Sequence, residues 1–402
     1  MARSRGWREE QEKLSPGSTP KDSSIRLSKL IVVLIIFVAG VVIGLSSSSH
    51  VDRHFSLRDD QLFMNSAMAP MPASITDVKN CTVVSKCEKE DCLSMDSFLS
   101  PKNLTHGMSD DELFWRASMM PKKAEYPYNR VPKVAFMFLT RGPLPMLPLW
   151  ERFFKGHDKL FSIYVHALPG YELNVLNTSA FYGRQIPSQY VEWGTVSLVD
   201  AEKRLLANAL LDFSNERFVL LSESCIPIQN FLTVYQYLIR SSHSFVESYY
   251  NPSKDVWGRY SRWMWPTISP SDWRKGSQWF EVNRVLAAVI VSDTKYYSIF
   301  KRWCKPSCYP DEFYIPTFLH MFYGSLNSNR TVTWVDWSIR SPHPAAFGKE
   351  NVTEGFVQSL RSNRTLCSYN SVRTSVCYLF ARKFEPSALE PLLNLSSSVM
   401  EF

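Results

Sequence analysis

The chain has 402 residues, 45% of them hydrophobic, which is enough apolar material for a sizeable core and excludes a disordered protein. Its formal net charge is +7, yet no run of Lys and Arg forms a stripe and no DNA- or RNA-binding motif occurs, so a nucleic-acid partner is excluded. Aromatic residues reach 14% with 12 Trp, a surplus that suits core packing and sugar stacking alike.

Residues 1–29 are polar and charged and read as a cytoplasmic tail. Leu30–Leu45 is a charge-free apolar run spanning roughly 24 Å as a helix, which predicts a transmembrane signal-anchor over 30–46 suited to a thin early-secretory bilayer. Arg3, Arg5, Arg8, Lys13, Lys21, Arg26 and Lys29 precede it, so the positive-inside bias leaves the N-terminus cytoplasmic and the remainder lumenal. The long charged lead disfavours a cleaved signal peptide. Gly40 and Gly44 form a GxxxG pair that would suit a homodimer face, although chance accounts for it as well in so short a run.

A lumenal body fits two further features. Cys81, Cys87, Cys92, Cys225, Cys304, Cys308, Cys367 and Cys377 all follow the apolar run, and most are expected in disulfides. N-x-S/T acceptor sites stand at Asn80, Asn103, Asn177, Asn329, Asn351, Asn363 and Asn394. Residues 47–130 read as a stem containing the Cys81–Cys92 segment, and 131–402 as the main folded domain.

From Lys133 the pattern alternates strand and helix. Lys133–Thr140 and Arg217–Leu221 read as strands buried on both faces, with Phe161–His166 and a short Tyr190–Trp193 between them. Leu147–Phe154 and Phe231–Ile239 read as helices, and Ser197–Asp200 as a capping-box-like start for another. Ser244–Tyr250 and Val376–Phe380 read as further strands. This order predicts a mixed, mostly parallel α/β sheet with flanking helices and a ligand crevice at the strands' C-terminal ends. No GxGxxG or Walker loop is present.

Sugar transfer from a nucleotide donor needs a base, a positive group for the leaving diphosphate and a platform for the sugars. An Asp-x-Asp metal pair would stand after Arg217–Leu221, where the chain reads Ser222-Glu223-Ser224-Cys225. Asp200-Ala-Glu202 lies in a helix, where residues two apart diverge, and reads as a pair of acids facing the helix dipole. No metal or other cofactor is therefore expected. Arg382-Lys383 could hold a diphosphate or be a solvated basic pair. Trp257, Trp263, Trp265, Trp273 and Trp279, interleaved with Arg259, Arg262, Arg274 and Lys275, fit a sugar-stacking rim or loop packing. Asp311-Glu312 after Pro310 could supply a base or simply serve a helix start.

The stretches PKVAFMFLTRGPLP, FSIYVH, WGTVSLVDAEKRLLANAL, RFVLLSESCIPI, WRKGSQWFE, CYPDEFYIPT, VDWS and CYLFARKF resemble, in this order, the plant branch of the core-2/I-branching β-1,6-N-acetylglucosaminyltransferase family. The resemblance implies a GT-A-like fold, a UDP-sugar donor, inversion at the anomeric carbon, no metal, and a Golgi enzyme with its catalytic domain in the lumen. It implies that Glu312 is the general base and that Lys383 holds the diphosphate, with Arg373 the nearest match to a partner Arg; Arg382 of the basic pair is the other candidate partner. It further implies acceptor contacts at Glu247, Arg259 and Arg262, to which Trp279 of the Trp-rich rim is added. Animal members have Asp where this chain has Cys225, and Val-Asp where it has Val165-His166.

The function expected is transfer of a sugar, N-acetylglucosamine being one candidate, onto a glycan or glycoprotein. Two rivals stand beside it. A lumenal glycoside hydrolase would pair Glu312 with Glu223 or Glu247, and a non-enzymatic glycan-binding protein would use the rim alone.

Overall fold

A computed structural model describes residues 104–119 and 125–402, apart from 306, 307, 340, 363 and 364, together with 34, 37 and 38. The chain divides into two compact units, Met1–Ser85 and Lys86–Phe402, and nearly all described residues belong to the second. The tail, the Gly40–Gly44 pair, Cys81, Cys87, Cys92, Asn80, Asn103 and Asn363 lie outside the described residues. So does the anchor expected at 30–46, except that residues 34, 37 and 38 are helical. Among the described residues no helix is long and apolar enough to cross a membrane.

The second unit opens with helix α1 (Asp110–Ala117), started by a capping box between Ser109 and Glu112. Strand β1 (Lys133–Leu139), helix α2 (Leu147–Phe154), strand β2 (Phe161–His166), helix α3 (Val196–Leu210) and strand β3 (Asn215–Ser222) follow. Next come β4 (Ile226–Pro227), α4 (Phe231–Arg240), α5 (Lys254–Trp257), β5 (Glu281–Asn283), α6 (Arg284–Ser292), α7 (Lys295–Trp303) and α8 (Pro310–Phe322). The chain ends with β6 (Thr333–Val335), α9 (Glu354–Arg361), β7 (Cys367–Tyr369), β8 (Val372–Thr374), β9 (Phe380–Arg382) and α10 (Leu389–Leu395).

The main sheet has the order β2-β1-β3-β5, with β1 parallel to β2 and β3, and β5 antiparallel to β3. The alternation along β1 explains the layers. Val134, Phe136 and Phe138 enter one core with α2 and α4, while Ala135, Met137 and Leu139 enter the other with α3, α6 and α8. Burial on both faces is what the unbroken apolar run predicts. A second sheet, β4-β9-β6, carries Arg382 at the end of its central strand. The mixed, mostly parallel sheet with flanking helices is thus present.

Several expectations are corrected. Tyr190–Trp193 is loop, and β2's outer edge is instead met at Val165 by Gln185. Ser244–Tyr250 makes only single bridges, at Ser244, Phe245 and Tyr249. The strand expected at Val376–Phe380 begins at Phe380 and runs to Arg382. Helix α3 starts before Ser197, because Thr195 is the N-cap and its hydroxyl accepts from the Ser197 N–H. Asp200 and Glu202 do not serve the helix dipole from the first turn of α3, which holds no acidic residue. The Tyr297 hydroxyl donates to Asp200, and Glu202 is fully buried.

The folded unit also reaches back into the segment read as stem. Leu104, Leu113 and Ala117 are buried, and Arg204 grips Asp110 with two 2.8 Å bonds. Cys304–Cys308 and Cys367–Cys377 form disulfides, whereas Cys225 is a buried free thiol. Asn177, Asn329, Asn351 and Asn394 are exposed.

Candidate active site

A cleft of about 490 Å³ opens where the parallel strands end. Leu139 and Thr140 after β1, His166 of β2, and Ser222 and Glu223 after β3 line it. This is the C-terminal edge at which open α/β sheets bind ligands.

Helix α8 brings Glu312 to the cleft. Pro310 occupies its first position, where a missing N–H costs nothing, and Tyr309 before it takes the left-handed conformation, φ 57°. Gly276 secures the other side: its N–H donates to the Glu312 carbonyl at 2.9 Å. A Cβ on Gly276 would stand 2.0 Å from the Glu247 carbonyl oxygen, so only glycine fits there. That close approach draws Glu247, Gly276 and Glu312 to one spot. The Glu312 carboxylate accepts from Lys275 Nζ at 2.6 Å and from Arg259 Nη1 at 3.1 Å, both at Oε2. Arg259 also lies over the Tyr309 ring, 4.5 Å from its centroid.

Other carboxyl groups surround this one. Burial raises the pKa of Glu247, against a hydrogen bond from the Ser277 backbone and the charge of Lys275. Burial, then the neighbouring Glu312, pushes Asp311 up to about 7. Glu223 also lines the cleft.

The basic residues divide. Arg382 and Lys383 both line the cleft. Arg382 lies over Trp279, 4.2 Å from its ring centroid, and its buried Nε lacks a hydrogen-bond partner among the described residues. Burial lowers its pKa. Arg373 is not brought to the site. It sits on the exposed β7–β8 hairpin and bonds the Leu366 carbonyl. Arg262 is exposed and lies over its neighbour Trp263, also away from the cleft lining.

The Trp-rich segment does not act as one rim. Trp273 is core, stacked against Phe313 and Phe300. Trp263 stacks on Trp303, and only Trp279 of the five lines the cleft. Aromatic lining comes instead from residues that the sequence reading passed over, namely Tyr190, Trp193, Tyr249 and Trp337. Each is more than 40% exposed, and none has a periodic neighbour pattern that would have marked it. His166 is buried at the end of β2, where burial and then Arg204 lower its pKa to about 4, so it is neutral.

An acid, two cations and stacking rings in one crevice of an α/β sheet are the parts of a sugar-transferring enzyme. The Core-2/I-Branching enzyme family model matches residues 134–361, and the chain belongs to that family. It is 35% identical over 310 residues to Glycosyltransferase BC10 of Oryza sativa subsp. japonica, an alignment covering 66% of this chain and 76% of the relative. The chain is a glycosyltransferase, which decides against the hydrolase and the non-enzymatic readings.

Proposed function

We propose that this glycosyltransferase is an inverting, metal-independent enzyme of the Golgi lumen, anchored through residues 30–46. It takes a sugar, with N-acetylglucosamine the first to try, from a UDP-sugar and places it on a glycan or glycoprotein acceptor. Glu312 removes the proton from the acceptor hydroxyl. The freed oxygen attacks the anomeric carbon from the face opposite the bond to UDP, and that bond breaks. Lys383 and Arg382 neutralise the departing diphosphate. Trp279, Glu247 and Arg259 contribute to acceptor binding, and the exposed rings of Trp193 and Trp337 stack sugars.

One observation carries this reading: Glu312, Arg382 and Lys383 line a single cleft. The test is UDP release from a panel of UDP-sugars, with acceptor glycans, in the presence and absence of a chelator. Release with transfer to the acceptor, undiminished by the chelator, is expected. Loss of activity on chelation would defeat the metal-free mechanism, and no release from any donor would defeat the UDP assignment.

A further inference from the structure

Two carboxyl groups beside Glu312, Asp311 at the cleft wall and Glu202 on the neighbouring helix, are left unused by the reaction proposed above. Glu202 stands on α3 and is fully buried, and Asp311 stands in the first turn of α8, only 7% exposed. The two helices pack against each other. Glu202 accepts one hydrogen bond at Oε1, 2.9 Å from Gln278 Nε2. Its Oε2, and Oδ1 of Asp311, are buried without a hydrogen-bond partner among the described residues. Two such carboxylates do not both stay ionised, because burial costs more than the single Gln278 bond to Glu202 and the nearby Lys275 and Arg259 charges return.

We propose that Glu202 and Asp311 form a proton-holding pair beside Glu312, acting as positioning residues that limit the negative charge set against the base and the departing diphosphate. This rests on the proposed function for its consequence, though not for the proton itself. The groups facing Asp311 are Glu312 on its own helix, Lys275 and Arg259 from the 259–275 segment, and Glu202 from α3. Those facing Glu202 are Asp311 and Tyr314, whose hydroxyl donates to Asp293. Lys275 and Arg259 spend their hydrogen bonds on Glu312, which leaves Asp311 Oδ1 unserved.

Burial, and then Asp311, raises the pKa of Glu202 well above the carboxylate range, while Asp311 titrates at about 7. Both folded values exceed the unfolded ones, so the native state binds protons that the unfolded chain releases. The corresponding stability is complete below about pH 4; the share of Asp311 is spent as pH rises through about 7, while that of Glu202 goes on falling beyond it. Above that point Asp311 ionises beside Glu312, and binding of an anionic diphosphate weakens.

The experiment uses the full chain, with Asp311→Asn and Glu202→Gln, each of which copies the protonated shape. Thermal midpoints without ligand, and the UDP dissociation constant, are measured from about pH 5 to about pH 8.5. The wild-type midpoint should fall more steeply than that of Asp311→Asn between about pH 6 and about pH 8, and its UDP affinity should drop several-fold where the variant's changes by less than half as much. Glu202→Gln should also flatten the slope, because a group that keeps its proton when folded and loses it on unfolding contributes from about pH 5 upward, and its flattening persists above about pH 7, where that of Asp311→Asn ends. Parallel slopes for wild type and Asp311→Asn overturn the pair, as does an unchanged slope in Glu202→Gln. If Asp311→Asn fails to fold, the infrared carbonyl band of protonated carboxyl groups in the native wild type decides: its absence at neutral pH overturns the pair. A chain that shows the slope difference but binds no UDP at any pH defeats the proposed donor and leaves the pair standing.

Discussion

Lys275 Nζ lies 2.6 Å from Oε2 of Glu312. Arg259 approaches the same oxygen at 3.1 Å, and among the described residues Oε1 accepts no hydrogen bond. The two cations therefore orient the carboxylate by one atom and leave the other to take a proton from an acceptor hydroxyl. Glu312→Gln keeps the shape and removes the basicity. Turnover should fall by about 10²- to 10⁴-fold, with a thermal midpoint close to wild type. Steady-state kinetics on the folded variant check this, and near-normal turnover would take Glu312 out of the base role.

The same relationship separates orientation from stability. Lys275 and Arg259 are 22% and 29% exposed at their side chains, so solvent screens both ion pairs. Lys275→Met should cost about 1 kcal/mol or less in denaturant unfolding, yet lower kcat at least about tenfold because the base loses its alignment. A large stability loss with unchanged kcat would make Lys275 a structural residue only.

Much of this site was legible beforehand, for identifiable reasons. The both-face burial of β1 and β3 leaves an uninterrupted apolar run, so the sheet and its crevice were readable. Pro310 before Asp311-Glu312 marked a helix start, and the resemblance pointed to Glu312, which does line the cleft. Arg373 failed because proximity to Cys377 in sequence says nothing about the Cys367–Cys377 disulfide, which closes the β7–β8 hairpin that carries it. Trp273 failed because loop-like spacing does not reveal that Phe300 and Phe313, from two later helices, flank its ring. Lys275 was noted only as one basic residue among several, since pairing with Glu312 arises from the single bridge between Tyr249 and Lys275.

The basic residues give a paired prediction. Lys383→Ala should lower kcat by about 10²-fold, as loss of a group facing developing charge does in other enzymes, and should raise the KM for the UDP-sugar. Arg373→Ala removes a side chain bonded to the Leu366 carbonyl on an exposed hairpin and should change neither constant. Kinetics with the donor varied distinguish them. A stronger effect at Arg373 than at Lys383 would mean that the hairpin closes over the donor.

Gly276 joins the backbone of three segments at the cleft, and the geometry there admits no side chain. An added Cβ would meet the Glu247 carbonyl oxygen at 2.0 Å and Pro316 Cγ at 2.8 Å, both fixed by the fold. Relief requires the Gly276 segment to part from Glu247 and from Pro316 of α8, which also breaks the 2.9 Å bond from Gly276 N–H to the Glu312 carbonyl. Gly276→Ala should therefore destabilise by about 3 kcal/mol and abolish transfer, because it displaces the base along with the wall. Gly324→Ala, at a position with nothing within 4 Å, is the matched control for the loss of backbone freedom alone. Denaturant midpoints and turnover of the two variants settle the matter: if Gly276→Ala behaves like its control, the segments are not held by that contact.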